Sequence, residues 1–286
     1  MTEALTPTHP GQTSKSHLPR AFLIVLCCLT SGDHGASATP HQQPRKPIGP
    51  GTVIDAFSDD GETQRFQIDS VKSDPQDRDG DVRLYGVSVL DPHSNTWRSY
   101  CAPDGEGRSA AIPVQGSWSA RGEFQPGTGT VTFACTSGAI AKCIRFGYKP
   151  WTTRNGISLR PYHAACMRMV RADYCGDGRA HTLDGTRIDI WDGLGIQKRE
   201  ERDGHPEVFE AAWSPGGAAY LNMPRWSDKV GDIVKDCPKH FVGRTPEDRP
   251  LVPDRVQQRF PEVLIFNARF VQSEDRRADP AIADHR

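Results

Sequence analysis

The sequence predicts an α+β fold, predominantly antiparallel β, in a disulfide-stapled exported domain with one clear helix near residues 162–172. Three observations carry that prediction. Short runs of β-branched and aromatic residues alternate with period two and are separated by turn clusters. Six cysteines follow an apolar leader. One segment, Tyr162–Ala172, places its apolar residues at helical spacing.

The N-terminus reads as a secretory signal over residues 1–38. A polar stretch with Lys15 and Arg20 precedes the apolar core AFLIVLCCL (Ala21–Leu29), and Ala36-Ser37-Ala38 forms a small-x-small cleavage site before Thr39. That core is far shorter than the roughly 20 residues of a membrane-spanning helix, and no transmembrane segment is expected in the mature chain. A lipoprotein anchored at Cys28 is the minor alternative; a lipobox asks for a small residue before the acylated cysteine, and Cys27 stands there. Residues 39–50 hold four prolines and read as an extended linker.

From residue 51 to 135 the pattern is that of a β-rich module. Phe66-Gln67-Ile68, Val82-Arg83-Leu84, Val87-Ser88-Val89 and Thr128–Cys135 alternate, and the clusters Ser58–Gly61, Asp74–Asp81, Asp91–Asn95 and Asp104–Gly107 mark turns. Residues 136–240 form a cysteine-rich region that can join the preceding module in one body. In the helix, Tyr162, Cys166, Met169 and Val170 share a stripe while Arg168 and Arg171 lie off it, and Gly176-Asp177-Gly178 stops the run. Asp184-Gly185 reads as a turn before an alternating strand with Ile188 and Ile190 on one face. A shorter helical piece is predicted over Pro206–Trp213. In the polar segment 241–286, alternation of Leu264, Phe266, Ala268 and Phe270 predicts a last strand within 263–271, ahead of a charged tail expected to be disordered.

The cysteines outside the leader are Cys101, Cys135, Cys143, Cys166, Cys175 and Cys237. An even set in an exported chain reads as a disulfide framework. Spacing favours local pairs among Cys135, Cys143, Cys166 and Cys175, but the connectivity stays open. Charge is balanced, with 35 Lys and Arg against 36 Asp and Glu and a net −1. Such a balance builds no field for nucleic acid, which is excluded as a partner.

Three runs occur in order: FACTSGAIAKCIRFGYKPW (Phe133–Trp151), HAACMRMVRADYCGDG (His163–Gly178) and Thr182–Asp189. Over roughly residues 130–230 the chain resembles the ADYC domain family, named for the tetrapeptide seen here as Ala172-Asp173-Tyr174-Cys175. The resemblance implies an exported bacterial protein. It implies no activity, so it transfers no catalytic residue.

Chemistry must therefore be sought in the residues. Cys166 or Cys175 with His163, His181 and Asp173 holds the ingredients of a thiol hydrolase, yet a helix C-terminus does not favour a thiolate and a disulfide is the preferred reading. Cys143, His163, Cys166 and Cys175 could ligate zinc, but no C-x-x-C or H-x-x-x-H pair supports it. Asp74–Asp81 packs four carboxylates into eight residues. Aligned as a calcium loop with Gly80 sixth, however, it puts Pro75 first and Gly86 twelfth, and a solvated acidic turn is preferred. Ser214 lacks the G-x-S-x-G of a nucleophile elbow and reads as a turn. Trp97, Trp118, Trp151, Trp191, Trp213 and Trp226, with the segment Gly147–Trp151, either fill a core or line a groove for glycan or peptide.

The preferred function is a non-enzymatic binding or structural module of the envelope or secreted fraction, periplasmic or secreted. Its expected partner is an envelope glycan, peptide or protein. The alternative is an extracytoplasmic hydrolase acting on an envelope or extracellular polymer, for which His163, Asp173, His181 and Asp189 are the candidate residues. No cofactor and no metal are expected.

Overall fold

The computed structural model describes residues 48–57, 63–127, 129–183, 185–199, 207–226, 233, 235–237 and 251–270, with the backbone of Ile24–Val25. Apart from those two residues, the signal lies outside the described residues, as do most of the linker, the turn Ser58–Gly61 and the charged tail.

Period-two alternation becomes an antiparallel sheet. Its strands are β1 (Ile24–Val25), β2 (Val53–Phe57), β3 (Thr63–Ser73), β4 (Arg83–Asp91), β5 (Thr96–Ser99) and β6 (Ala111–Gln115). A small hairpin, β7 (Ser117–Trp118) and β8 (Phe124–Gln125), precedes the last strand, β9 (Thr130–Cys135). The order is β1-β9-β6-β4-β3-β2, with β5 also paired to β4. Register places Phe66 opposite Val89 and Ile68 opposite Val87. These four form one apolar cluster with Ile54, Ala56 and Phe133, the cross-strand packing that stabilises a sheet.

The other face of the sheet meets two helices. Leu84, Ile112, Val114 and Ala134 pack with Ala141 and Ile144 of α1 (Ala139–Arg145). After a hairpin of β10 (Thr153–Arg154) and β11 (Ile157–Ser158) comes α2 (Arg160–Arg171), with a proline in its first turn. The predicted helix is present, starting two residues earlier. Tyr162, Cys166 and Met169 are buried as expected; Arg168, placed off the stripe by the sequence, is buried too, because it pairs internally.

Behind α2 lies a second antiparallel sheet, ordered β12-β15-β13-β14. Its strands are β12 (Ile188–Asp192), β13 (Glu207–Ser214), β14 (Gly217–Leu221) and β15 (Ile265–Phe270), the last preceded by α3 (Pro253–Arg259). The expected helix over Pro206–Trp213 is therefore wrong. Glu and Ala favour helix locally, but β13 is a strand paired on both sides, to β14 and β15, and this tertiary pairing overrides propensity. The last strand lies in the sheet's interior, so Ile265 and Asn267 are buried along with Phe266 and Ala268. Met169, Trp213, Leu221 and Ile265 share one apolar cluster with Val82 and Ile112 of the first half.

Three disulfides join Cys101 to Cys135, Cys143 to Cys166 and Cys175 to Cys237. Their Cα separations of 5.4, 5.8 and 5.3 Å suit the bond. Of the local pairs favoured by spacing, Cys143–Cys166 alone is formed. The sheet brings Cys135, at the end of β9, against Cys101 in one apolar cluster, while α1 and α2 pack side by side and present Cys143 to Cys166. No helix among the described residues is long and apolar enough to cross a membrane.

Candidate functional site

Where α1 ends, the chain turns through Tyr148-Lys149-Pro150-Trp151 and lays Lys149 across the acidic turn. Lys149 Nζ lies 2.6 Å from Asp77 Oδ1 and 2.8 Å from Asp79 Oδ2, and it also binds Asp81 Oδ1. The lysine side chain is only 4% exposed. Burial works against the charge on Asp77, but Lys149 and the backbone N–H groups of Val82 and Asp79 overrule it and hold that carboxyl at about 2. Alongside, Arg145 Nε donates to Asp74 Oδ2 at 2.8 Å. The expected solvated turn holds at Asp79 and Asp81, which are exposed, whereas the Asp74 and Asp77 side chains are buried against two cations from a segment some 70 residues away. The cation position among Asp77, Asp79 and Asp81 is taken by the chain's own ammonium.

The same turn fixes Trp151. Its Nε1 donates to Asp81 Oδ2 at 2.9 Å, and the ring is 45% exposed. It stands over a groove of about 430 Å³ whose walls include Phe124, Pro126, Pro150 and Arg160, with Val114 and Gly116 buried at its floor. Gly116 has φ +98°, and a Cβ there would sit 2.4 Å from the Phe124 ring, so the aromatic wall requires glycine beneath it. Arg160, the first residue of α2, lies with its guanidinium 4.3 Å from the centre of the Phe124 ring.

A second arrangement surrounds the tetrapeptide at the end of α2. Ala172 is left-handed, with φ 49° and ψ 41°. The Ala172 N–H donates to Met169 O and the Asp173 N–H to Arg168 O, a Schellman closure with alanine where glycine is usual. Asp173 is fully buried; its Oδ2 accepts from Arg168 at 2.6 Å and from the Gly178 N–H at 3.0 Å. Arg168 also donates to the carbonyls of Pro215 and Arg121, tying the helix to both neighbouring hairpin turns. Tyr174 stacks on Trp213 and donates its hydroxyl to Glu210 Oε1 at 2.9 Å. Cys175 closes the bridge to Cys237, and at Gly176 a Cβ would fall 1.7 Å from the Gly216 carbonyl, so backbone packs directly on backbone.

Glu210 is the centre of this arrangement and has no solvent exposure. Besides Tyr174 it accepts from Arg225 Nε at 3.1 Å and Asn267 Nδ2 at 2.7 Å, while Asn267 Oδ1 takes the Trp213 indole N–H at 2.7 Å. Arg225 spends its remaining donors on Met169 O and Val170 O, the last carbonyls of α2, where the helix dipole favours a cation. Burial and Glu210 together push the Tyr174 phenol well above its ordinary value. Around Glu210 each carboxylate oxygen has a donor, as a buried ionic network requires.

The family model of the ADYC domain matches residues 50–227. The chain belongs to the ADYC domain family. The match begins near the start of β2, well before the stretch from about residue 130 that carries the resemblance in the sequence, so strands β2 to β9 lie within the ADYC domain. No curated protein and no solved structure matches the chain. The four letters of the family's name each have a place in this fold: a left-handed helix end, a buried ion pair, a hydrogen-bonded stacked ring and a disulfide.

His163 is buried in α2, with Nε2 3.2 Å from Ile140 O and its ring against Trp118. Burial pushes its pKa down to about 4. His163 and Asp173 are ten residues apart on and beyond α2, or about 15 Å along its axis. His181 is half-buried, its Nδ1 3.2 Å from Ala172 O and its ring against Tyr174. Asp189 is buried on β12 and engaged there. Cys143, Cys166 and Cys175, the thiols of the zinc and nucleophile readings, are in disulfides. Ser214 donates to Gly217 O and accepts from Gly216 N, a turn as expected. Of the tryptophans, Trp118 and Trp213 are buried, whereas Trp97 and Trp151 are exposed. Sequence reasoning singled out Gly147–Trp151 but missed Gly116, Phe124 and Arg160, which only the folding of the β7–β8 hairpin and the start of α2 toward one another brings to that ring.

Proposed function

We propose that this ADYC domain is an extracytoplasmic, non-enzymatic binding module of the bacterial envelope or secreted fraction, and that its ligand lies in the groove at Trp151. One observation carries the reading. An exposed indole is held by its N–H on a carboxylate that Lys149 also binds, and it lines a groove together with a seated phenylalanine. A large aromatic face fixed in place offers contact area at little entropic cost, which is how recognition surfaces use tryptophan. Three disulfides fit an oxidising compartment, and the leader accounts for delivery there. The hydrolase alternative draws no support from His163, Asp173, His181 and Asp189, each of which is taken up in packing and bonding of the scaffold.

The test uses the mature protein, starting near Thr39, on arrays of envelope glycans and of peptides. The wild type should bind a defined subset, and Trp151→Ala should lose that subset while unfolding at the same temperature. A wild type that binds nothing, or a Trp151→Ala variant that binds as before, would remove the groove from consideration.

A further inference from the structure

We infer that the groove takes a carboxylated saccharide, with a sugar ring laid on the face of Trp151 and a carboxylate on the guanidinium of Arg160. The inference rests on the groove being the binding site and adds the class of ligand. The indole N–H of Trp151 is already given to Asp81, so the ring offers a face and no donor. An extended peptide in an aromatic groove needs a row of donors for its carbonyls as well as apolar faces, and the described lining side chains supply Gln115 and Arg160 alone. The apolar faces of a sugar need only the flat ring.

Charge selects among sugars. Among the described residues, none that lines the groove is acidic, and Arg160 is the one cation there. Arg145, Arg168 and Arg225 each meet a carboxylate, whereas no carboxylate pairs with Arg160 among the described residues. Resting on the Phe124 ring, the planar guanidinium keeps its edge for a bidentate acceptor, the geometry that a carboxylate matches. Behind the indole, Asp77, Asp79 and Asp81 outnumber the single Lys149 ammonium. The ligand's negative charge therefore belongs on the Phe124 side of the groove, at Arg160, with a neutral ring face on Trp151.

Titration calorimetry at low salt decides the assignment, using a hexamer of galacturonic acid, a neutral hexamer of glucose and decaproline as probes. The acidic hexamer should bind the wild type best. Arg160→Gln, at an exposed position, should keep the fold and weaken that binding on the order of 10–100-fold, the worth of a charged hydrogen-bonded pair. Trp151→Ala should abolish it. Equal binding of the neutral hexamer, tighter binding of decaproline, no binding of the acidic hexamer, or an unchanged Arg160→Gln variant would each overturn the acidic-saccharide assignment. Those results leave the groove to the array experiment, where Trp151→Ala alone decides it.

Discussion

His163 illustrates how a residue type that suggests chemistry is consumed by structure. Buried against Trp118, it stays neutral in the fold because its pKa is pushed down to about 4, while an unfolded histidine titrates near 6.5. Between those values the unfolded chain binds a proton that the folded chain refuses. The stabilisation is complete above about pH 6.5 and is lost as pH falls toward 4, by about 3 kcal/mol for this one group. Asp77 is held at about 2, so its contribution is lost only at lower pH. Urea unfolding of the wild type from pH 7 to 4 should show that slope, and His163→Leu should flatten it. A slope unchanged in the variant would assign the effect to other groups.

At the scale of elements, the hairpin of β7 and β8 sets the groove wall through a single glycine. Gly116→Ala places a methyl where the Phe124 ring lies and asks alanine to adopt a positive φ, so it should cost about 1–3 kcal/mol. It should also weaken whatever binds at Trp151, because Phe124 must leave its seat; a variant with wild-type stability would show that the ring had room to spare. Elements were legible where local signals agreed with tertiary demand. The apolar stripe from Tyr162 to Met169 and the stop at Gly176 located α2 to within two residues, and the alternation of residues 264–270 located β15. Residues 206–213 failed because Glu210 looks like a helix surface residue. It is in fact the buried acceptor of Tyr174, Arg225 and Asn267, and nothing in the neighbouring sequence announces those partners. Likewise the spacing of Asp74–Asp81 spoke of a calcium loop or a solvated turn, since Lys149 is remote in sequence. The Gly147–Trp151 run pointed to the aromatic side of the groove, while Arg160 and Phe124 carried no local sign of belonging to it.

Across the whole molecule, two sheets enclose α1 and α2, and the disulfides lie along that construction. Cys143–Cys166 clamps the two helices together and spans 23 residues. Replacing both cysteines by alanine should lower unfolding free energy by about 3 kcal/mol, as expected for a loop of that size. Equilibrium denaturation measures it, and an unchanged midpoint would mean that helix packing alone limits the unfolded chain. The connectivity has a consequence for biogenesis. Counted from Cys101, beyond Cys27 and Cys28 of the leader, the six cysteines pair first with second, third with fourth and fifth with sixth. A polypeptide that emerges N-terminus first offers each thiol its native partner as the next cysteine to appear. Each bridge can therefore close before a competing thiol arrives. Oxidation in step with emergence leaves no bond to reshuffle, so this protein should mature with an oxidant alone and owe little to a disulfide isomerase.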